Sequence, residues 1–283
     1  MNNDYSQNAI TTVSETRQCL KLSGGLFSRA TAGIIIEKEL AISVNGEHLA
    51  TASIIPGMER EFVTGYLYGQ GFIDGLDDLR SVEIDDSGAA VTLKDSSRMT
   101  TASGTTTYRI VSGGGRAAFS DSAAFPFIGP GMAIRKDDVF AAMNTVFERG
   151  EIYRETEGVH IGGLFSASGA PLRIVEDIGR HNTLDKLIGH ALLNGIDFGQ
   201  AFIASTGRMS SEMVLKICRA GIPVAATKTA VTDRGIEIGR EHGLTVIGFV
   251  RDAGTRINTD MDVRVIQNAG MKVYTHPERV LCE

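Results

Sequence analysis

The chain is poor in cysteine: its three, Cys19, Cys218 and Cys282, are far apart and odd in number. No C-x-x-C pair occurs, so neither a disulfide framework nor a thiolate metal site is indicated, and a reducing cytoplasm fits best. Also missing is any run of about eighteen apolar residues, and the first residues have no basic start followed by an apolar core. These absences predict a soluble, unexported protein that makes no use of a membrane. Positive charge is not in excess either. The formal net charge of -6 argues against a surface that seeks nucleic acid. No G-x-G-x-x-G fingerprint marks a dinucleotide fold, and no P-C-x-x-C stands at a helix start to hold a deaminase zinc with a nearby Glu. No metal is therefore expected, zinc included.

What is present is globular. Hydrophobic residues make up 42% and charged residues 22% of 283, enough for one large or two ordinary domains. Residues 1 to 30 mix Ser, Asn, Gln and Gly with little periodicity and predict a mobile arm. Asn45-Gly46 between residues 41 to 44 and 48 to 54 predicts a β-hairpin with a type I′ turn. After Pro56-Gly57, Phe62, Val63, Tyr66 and Leu67 share one helical face, with Gly69 near that helix's end. A second hairpin is expected across residues 85 to 88. A Thr-rich β stretch then empties into Ser112-Gly-Gly-Gly-Arg116, a flexible loop or a wrap for phosphate. Residues 126 to 131 make the best linker, dividing a small α+β domain (31 to 130) from a second domain (131 to 283).

That second domain alternates regularly. Val139, Phe140, Met143, Val146 and Phe147 define a helix, and residues 159 to 166 and 172 to 175 form a hairpin. Three strand and helix units follow, then a buried strand at 244 to 250. Helical crossovers return the chain in the same direction, so the pattern predicts a three-layer α/β/α sandwich whose later strands are parallel.

Each of those strands delivers a polar set at its carboxyl end: Glu176-Asp-Ile-Gly-Arg-His-Asn182, then residues 205 to 212, then Thr227-Lys-Thr229. With the strands side by side, the three edges are expected to be adjacent and to form an anionic-ligand pocket from Arg180, His181 and Arg208. Asn182, with Asp185 three residues on, predicts one helix cap and Ser210 the next. The alternative makes Asp177 with Arg180, and Arg208 with Glu212, plain ion pairs, and the serines plain caps. His160, between Val159 and Ile161, reads alone as a core histidine. Cys218 falls on the apolar side of its helix.

With these residues assembled, the chain resembles the FdhD/NarQ family of formate dehydrogenase accessory proteins from about residue 37 onward. The resemblance rests on Gly158-Val-His160, the 176 to 182 stretch with Leu184-Asp-Lys186, Ser205-Thr-Gly-Arg208 with Ser211-Glu-Met213, Ala220-Gly-Ile-Pro223, and Gly248-Phe249 with Arg251. It implies a cytidine-deaminase-like fold and sulfur delivery. In that role, sulfur passes as a persulfide from a cysteine desulfurase to the molybdenum (or tungsten) bis-guanine-dinucleotide pterin cofactor of formate dehydrogenase. The resemblance further implies a homodimer. It also implies that Phe249, Val250, Arg251, Asp252, Ala253 and Gly254 lie against that cofactor or a guanine nucleotide. The rest of the expected binding set is His160, Asp177, Arg180, His181, Asn182, Ser205, Gly207, Arg208 and Ser210. The family's paired cysteines, in a C-G-x-C-G loop, correspond here to Ser112-Gly-Gly-Gly-Arg116. A serine cannot carry a persulfide, which leaves binding without the usual thiols, or sulfur transfer through Cys282 or Cys19.

Overall fold

The computed structural model describes residues 12–96, 108–110, 125–252, 256–259, 262–265 and 268–282. The chain opens with β1 (Ser14–Ser23) and β2 (Leu26–Ile35), then β3 (Lys38–Val44), β4 (Glu47–Ile54), α1 (Glu59–Gln70), β5 (Leu79–Asp85), β6 (Gly88–Leu93) and β7 (Tyr108–Ile110). Next come β8 (Ile134–Arg135), α2 (Lys136–Glu148), α3 (Glu151–Thr156), β9 (His160–Ser166), β10 (Pro171–Asp177) and α4 (Arg180–Leu193). They are followed by β11 (Ala201–Ser205), α5 (Ser211–Ala220), β12 (Val224–Thr227), α6 (Asp233–His242) and β13 (Thr245–Arg251). The last elements are β14 (Arg256–Thr259), β15 (Asp262–Val265), β16 (Gly270–Val273) and β17 (Val280–Leu281). No helix among the described residues is long and apolar enough to cross a membrane.

A five-stranded sheet in the order β5-β6-β3-β4-β7 carries α1. The β3–β4 turn uses the expected Asn45 and Gly46, at φ 52 and 85, the positive pair that a tight hairpin needs. Phe62, Val63, Tyr66 and Leu67 are buried against this sheet. Gly69 lies near the end of α1 as expected, Gly71 at φ 83 is the C-cap, and Phe72 N–H returns to Leu67 O at 2.9 Å.

The six-stranded sheet runs β10-β9-β11-β12-β13-β16. Strands β11, β12 and β13 are parallel, as their helical crossovers require, while β9, β10 and β16 join antiparallel. Alternation along β11 sends Phe202 and Ala204 to the α2 face, where the rings of Phe165 and Phe202 stack at 5.2 Å. Ala201 and Ile203 face α4 and α5. The result is the expected α/β architecture, with one helical layer on each side of the sheet.

Two expectations change. Part of the predicted arm is a hairpin, β1 with β2 in ten-residue register; its Leu20-Lys21-Leu22 alternation is the strand signal that the polar composition obscured. The predicted linker is also pinned. Ile128 is buried, and Arg279 grips Ile128 O at 2.9 Å and Gly129 O at 2.8 Å.

Helix α1 joins the two sheets by lying across α4. The crossing depends on Gly65 and Gly189, whose hydrogens leave room for the facing backbone. Beside it, Lys216 Nζ meets both carboxylate oxygens of Asp185, at 2.7 and 2.6 Å, in a buried pair.

Candidate functional site

The parallel strands β11, β12 and β13 end on one edge of the larger sheet, and antiparallel β9 begins there. This edge is not the row of three adjacent ends that sequence order suggested. Strand β9 inserts between β10 and β11, because hairpin pairing keeps β9 with β10 while β9 also pairs β11. His160 is thereby carried into the middle of the edge, opposite Asp177 in the register.

Glycine sets the close approach of the first two polar stretches. A Cβ on Gly207 would lie 2.6 Å from Arg180 Cβ, so only glycine lets the β11–α5 turn sit against the first residue of α4. The turn is fixed from several sides. Ser205 Oγ accepts from Gly207 N–H at 3.1 Å, Thr227 Oγ1 donates to Gly207 O at 2.7 Å, and Ile161 N–H donates to Thr206 Oγ1 at 3.0 Å. A turn held this way presents its free groups in one geometry.

Those free groups are cationic or neutral donors. Arg208 is exposed and Arg180 half-buried. Burial, and then the guanidinium of Arg208, push the pKa of Arg180 down, while burial followed by Arg180 does the same to His160. His181 is 4% exposed, and burial, with Lys216, Arg180 and His160 nearby, lowers its pKa to about 3. Its ring is therefore neutral. The 3.4 Å separation of Nε2 from Glu212 Oε2 is proximity rather than an ion pair, and neither ring nitrogen has a hydrogen-bond partner. Arg180 Nε, Ser210 Oγ and Arg251 Nε are likewise buried without partners. Such orphans are expensive in an empty protein and are satisfied when a polar ligand arrives.

Two members of the predicted set turn away from this edge. Asp177 is fully buried; its Oδ2 accepts from Lys186 Nζ at 2.8 Å and Ile55 N–H at 3.2 Å, and its Oδ1 from Asn182 Nδ2 at 2.8 Å and Gly179 N–H at 3.1 Å. Asn182 also donates to Ser53 O at 2.8 Å. Both therefore join β10 and α4 to the end of β4. Asn182 does not cap α4, whose N-cap is Gly179, and Ser210 occupies the N-cap of α5 without a side-chain cap bond. The simple ion pairs of the alternative reading are replaced as well, since Asp177 pairs with Lys186 and Glu212 approaches His181.

Farther along the edge, Phe249 holds φ 54. A positive φ on a bulky residue is a strained conformation of the kind found at functional sites. Arg251 Cζ and Lys272 Nζ lie 5.5 and 4.8 Å from its ring centroid, and Lys228 Nζ lies 3.9 Å from that of Phe147. Burial, with Arg251 second, lowers the pKa of Lys228. Val250 is buried in the core on the α2 side, and Asp252 accepts from Asn144 Nδ2 at 2.8 Å. Ala253, Gly254 and the Ser112 to Arg116 stretch lie outside the described residues.

The sequence reading placed Lys186 only in a motif and Phe147 only on a helix face, and it missed Lys216 and Lys272. For the two buried lysines a signal existed: each interrupts an apolar helix stripe, Lys186 beside Leu184 and Leu187, Lys216 beside Val214 and Ile217.

Cys218 is buried, and its thiol is pushed up to about 12 by burial. Cys19 and Cys282 are exposed. Cys282 lines a groove of about 550 Å³ along α2, with Lys136, Phe140 and Asn144 at one-turn intervals and Asp252 at its lining too. Among the described residues no group of three His, Cys, Asp or Glu could hold a metal ion.

Residues 35–281 match the FdhD/NarQ family. Over 261 residues the chain is 32% identical to the sulfur carrier protein FdhD of Methanothermobacter thermautotrophicus, covering 89% of this chain and 93% of the relative. It is 28% identical over 281 residues to that of Shouchella clausii, covering 95% of this chain and 97% of the relative. A solved structure described as that of a formate dehydrogenase accessory protein from Desulfotalea psychrophila superposes with a TM-score of 0.73. It shares 22% identity and covers 95% of this chain and 100% of the other.

Proposed function

This chain belongs to the FdhD/NarQ family, and from that premise we propose that it acts in formate dehydrogenase maturation by binding the guanine-dinucleotide pterin cofactor as cargo. The binding place is the edge formed by His160, Arg180, His181, the Ser205 to Ser210 turn and the Phe249 to Arg251 segment. The observation that carries the reading is the set of buried polar atoms without partners, on Arg180, His181, Ser210 and Arg251, gathered on one edge. The residues fit such a cargo. Arg180, Arg208, Lys228 and Arg251 offer charge-assisted contacts to phosphates, and neutral His181 suits an uncharged polar group. A bound pterin cofactor supplies the metal and dithiolene chemistry; the protein binds, orients and shields it. Asp177 and Asn182 act one step removed, by holding Gly179 and the start of α4 in place.

Calorimetry with guanosine diphosphate at physiological salt tests the proposal. Saturable binding, lost in Arg180→Ala, is expected; an absence of binding to both the nucleotide and the pterin cofactor sinks it.

A second reading retains sulfur transfer, as the name of the relatives suggests, and the groove at Cys282 favours it. Here the Cys282 thiolate attacks the outer sulfur of a desulfurase persulfide, forming a new persulfide on Cys282 and releasing the desulfurase thiolate. Cys218 is too deeply buried and too weakly acidic for this. Mass spectrometry after incubation with a cysteine desulfurase and cysteine decides it: a gain of one sulfur on Cys282 is expected, and unmodified Cys282 refutes it. The cysteine desulfurase is then the donor partner.

A further inference from the structure

The hairpin of β1 and β2 is anchored only at its root, where Ile36 N–H bonds to Val13 O at 3.0 Å and Ser14 Oγ to Glu155 Oε1 at 3.1 Å. Beyond the root, residues 15 to 29 are all exposed, and among the described residues no third strand pairs with either edge. Gly24 and Gly25, at φ 58 and 81, close the far end as a tight two-residue turn with nothing within 4 Å of either. Around this turn stand Leu20, Leu22, Leu26 and Phe27, exposed at 66, 59, 76 and 70%. The matched family region begins at residue 35, after this ribbon.

The register separates these side chains in a telling way. Leu22 pairs with Phe27 and Leu20 with Arg29 on one face, whereas Leu26, paired with Ser23, lies on the other face with Lys21. A protein partner covers one face of a ribbon or lies along its edge. A tip that is apolar on both faces is satisfied instead by an apolar medium that surrounds it. Charge points the same way. From Thr16 to Ile36 the chain has no Asp or Glu, although its formal net charge is -6. Arg17 is tied to Glu15, while Lys21 and Arg29 have no acidic partner among the described residues.

We infer that the β1–β2 hairpin is a peripheral membrane anchor, whose tip dips into an anionic lipid surface while Lys21 and Arg29 meet the headgroups. The dimensions agree. Leu22, Leu26 and Phe27 lie within two residues of the turn, about 7 Å, and apolar faces sink roughly 5–10 Å into the headgroup and acyl boundary. Lys21 follows at about 10 Å and Arg29 at about 13 Å, one on each face, where lipid phosphates lie. At so shallow a depth the unpaired strand edges keep water and headgroups as partners. The lack of a long apolar run speaks against a helical span, not against contact of this kind.

The test is co-sedimentation of the full chain with vesicles of equal parts phosphatidylglycerol and phosphatidylcholine, against vesicles of phosphatidylcholine alone. The wild type should bind the anionic vesicles, weaken with salt, and bind the neutral ones at least about tenfold less, in keeping with about fivefold for each of two cations. Leu22→Ser with Phe27→Ser should lower binding at least about tenfold, as should Lys21→Gln with Arg29→Gln. Both should leave the thermal melt unchanged, since the tip touches nothing else. The chain has no tryptophan, so Phe27→Trp supplies a single reporter whose emission should move to the blue when anionic vesicles are added. Failure of the wild type to bind overturns the inference, as does equal binding to both vesicles or binding indifferent to these variants. Tryptophan emission that is already blue without lipid and unmoved by it also overturns it, because the tip is then covered by protein.

Discussion

Gly65 of α1 and Gly189 of α4 face each other at a crossing so close that a Cβ on Gly65 would lie 1.8 Å from Asp185 O, and one on Gly189 would lie 1.8 Å from Glu61 O. Backbone cannot yield as a side-chain tip can. Gly65→Ala should therefore force the helices apart and destabilise the protein by at least about 1–3 kcal/mol, the usual overpacking range. Urea unfolding checks this, and an unchanged midpoint would count against the crossing.

The Asp177 and Lys186 pair predicts a stability defect rather than a loss of ligand contact. Asp177→Ala leaves a buried ammonium beside Ile55 O without its counter-charge and should cost about 3–5 kcal/mol. Guanosine diphosphate affinity, measured where the variant remains folded, should change far less than in Arg180→Ala. Equal losses of affinity would place Asp177 against the ligand after all.

His181 makes stability depend on acid. Its ordinary pKa of 6.5 falls to about 3 in the folded chain because burial disfavours the imidazolium. Between those values the unfolded chain takes up a proton that the folded one refuses, so stability is full above pH 6.5 and declines as pH falls toward 3. The slope from this group approaches about 1.4 kcal/mol per pH unit. Urea midpoints for His181→Gln should show a shallower acid decline than the wild type. Parallel profiles would refute the assignment.

Arg208 is exposed and contributes through charge. Arg208→Ala should weaken guanosine diphosphate binding about 10-fold, in keeping with one lost charge-assisted hydrogen bond. It should also lower the dependence of affinity on salt. Calorimetry at two ionic strengths is the measurement, and unchanged affinity and salt slope together would remove Arg208 from the site.

The α/β order was legible because Asn45-Gly46, the apolar stripes of the helices and the strand alternation are local signals. Strand order was not: β9 lies between β10 and β11 through pairings that sequence spacing does not encode. The same limit explains the site. Arg180, His181 and the Ser205 to Ser210 turn were legible as residues at strand ends. Asp177 and Asn182 look alike at that level and differ only because Ile55, 122 residues before Asp177, folds onto them. The arm hairpin hid behind its polar composition, although Leu20 and Leu22 already alternated.

Arg279 bonds to Ile128 O, 151 residues earlier in the chain, and β17 supplies the strand partner of β8. Synthesis therefore imposes an order on folding. At about 5–20 residues per second, the connector ahead of α2 waits roughly 8–30 s on the ribosome before the residue that clamps it is made. The sheet carrying α1 can form during that interval, so a nascent chain passes through a state with one half assembled and the joint still unlocked.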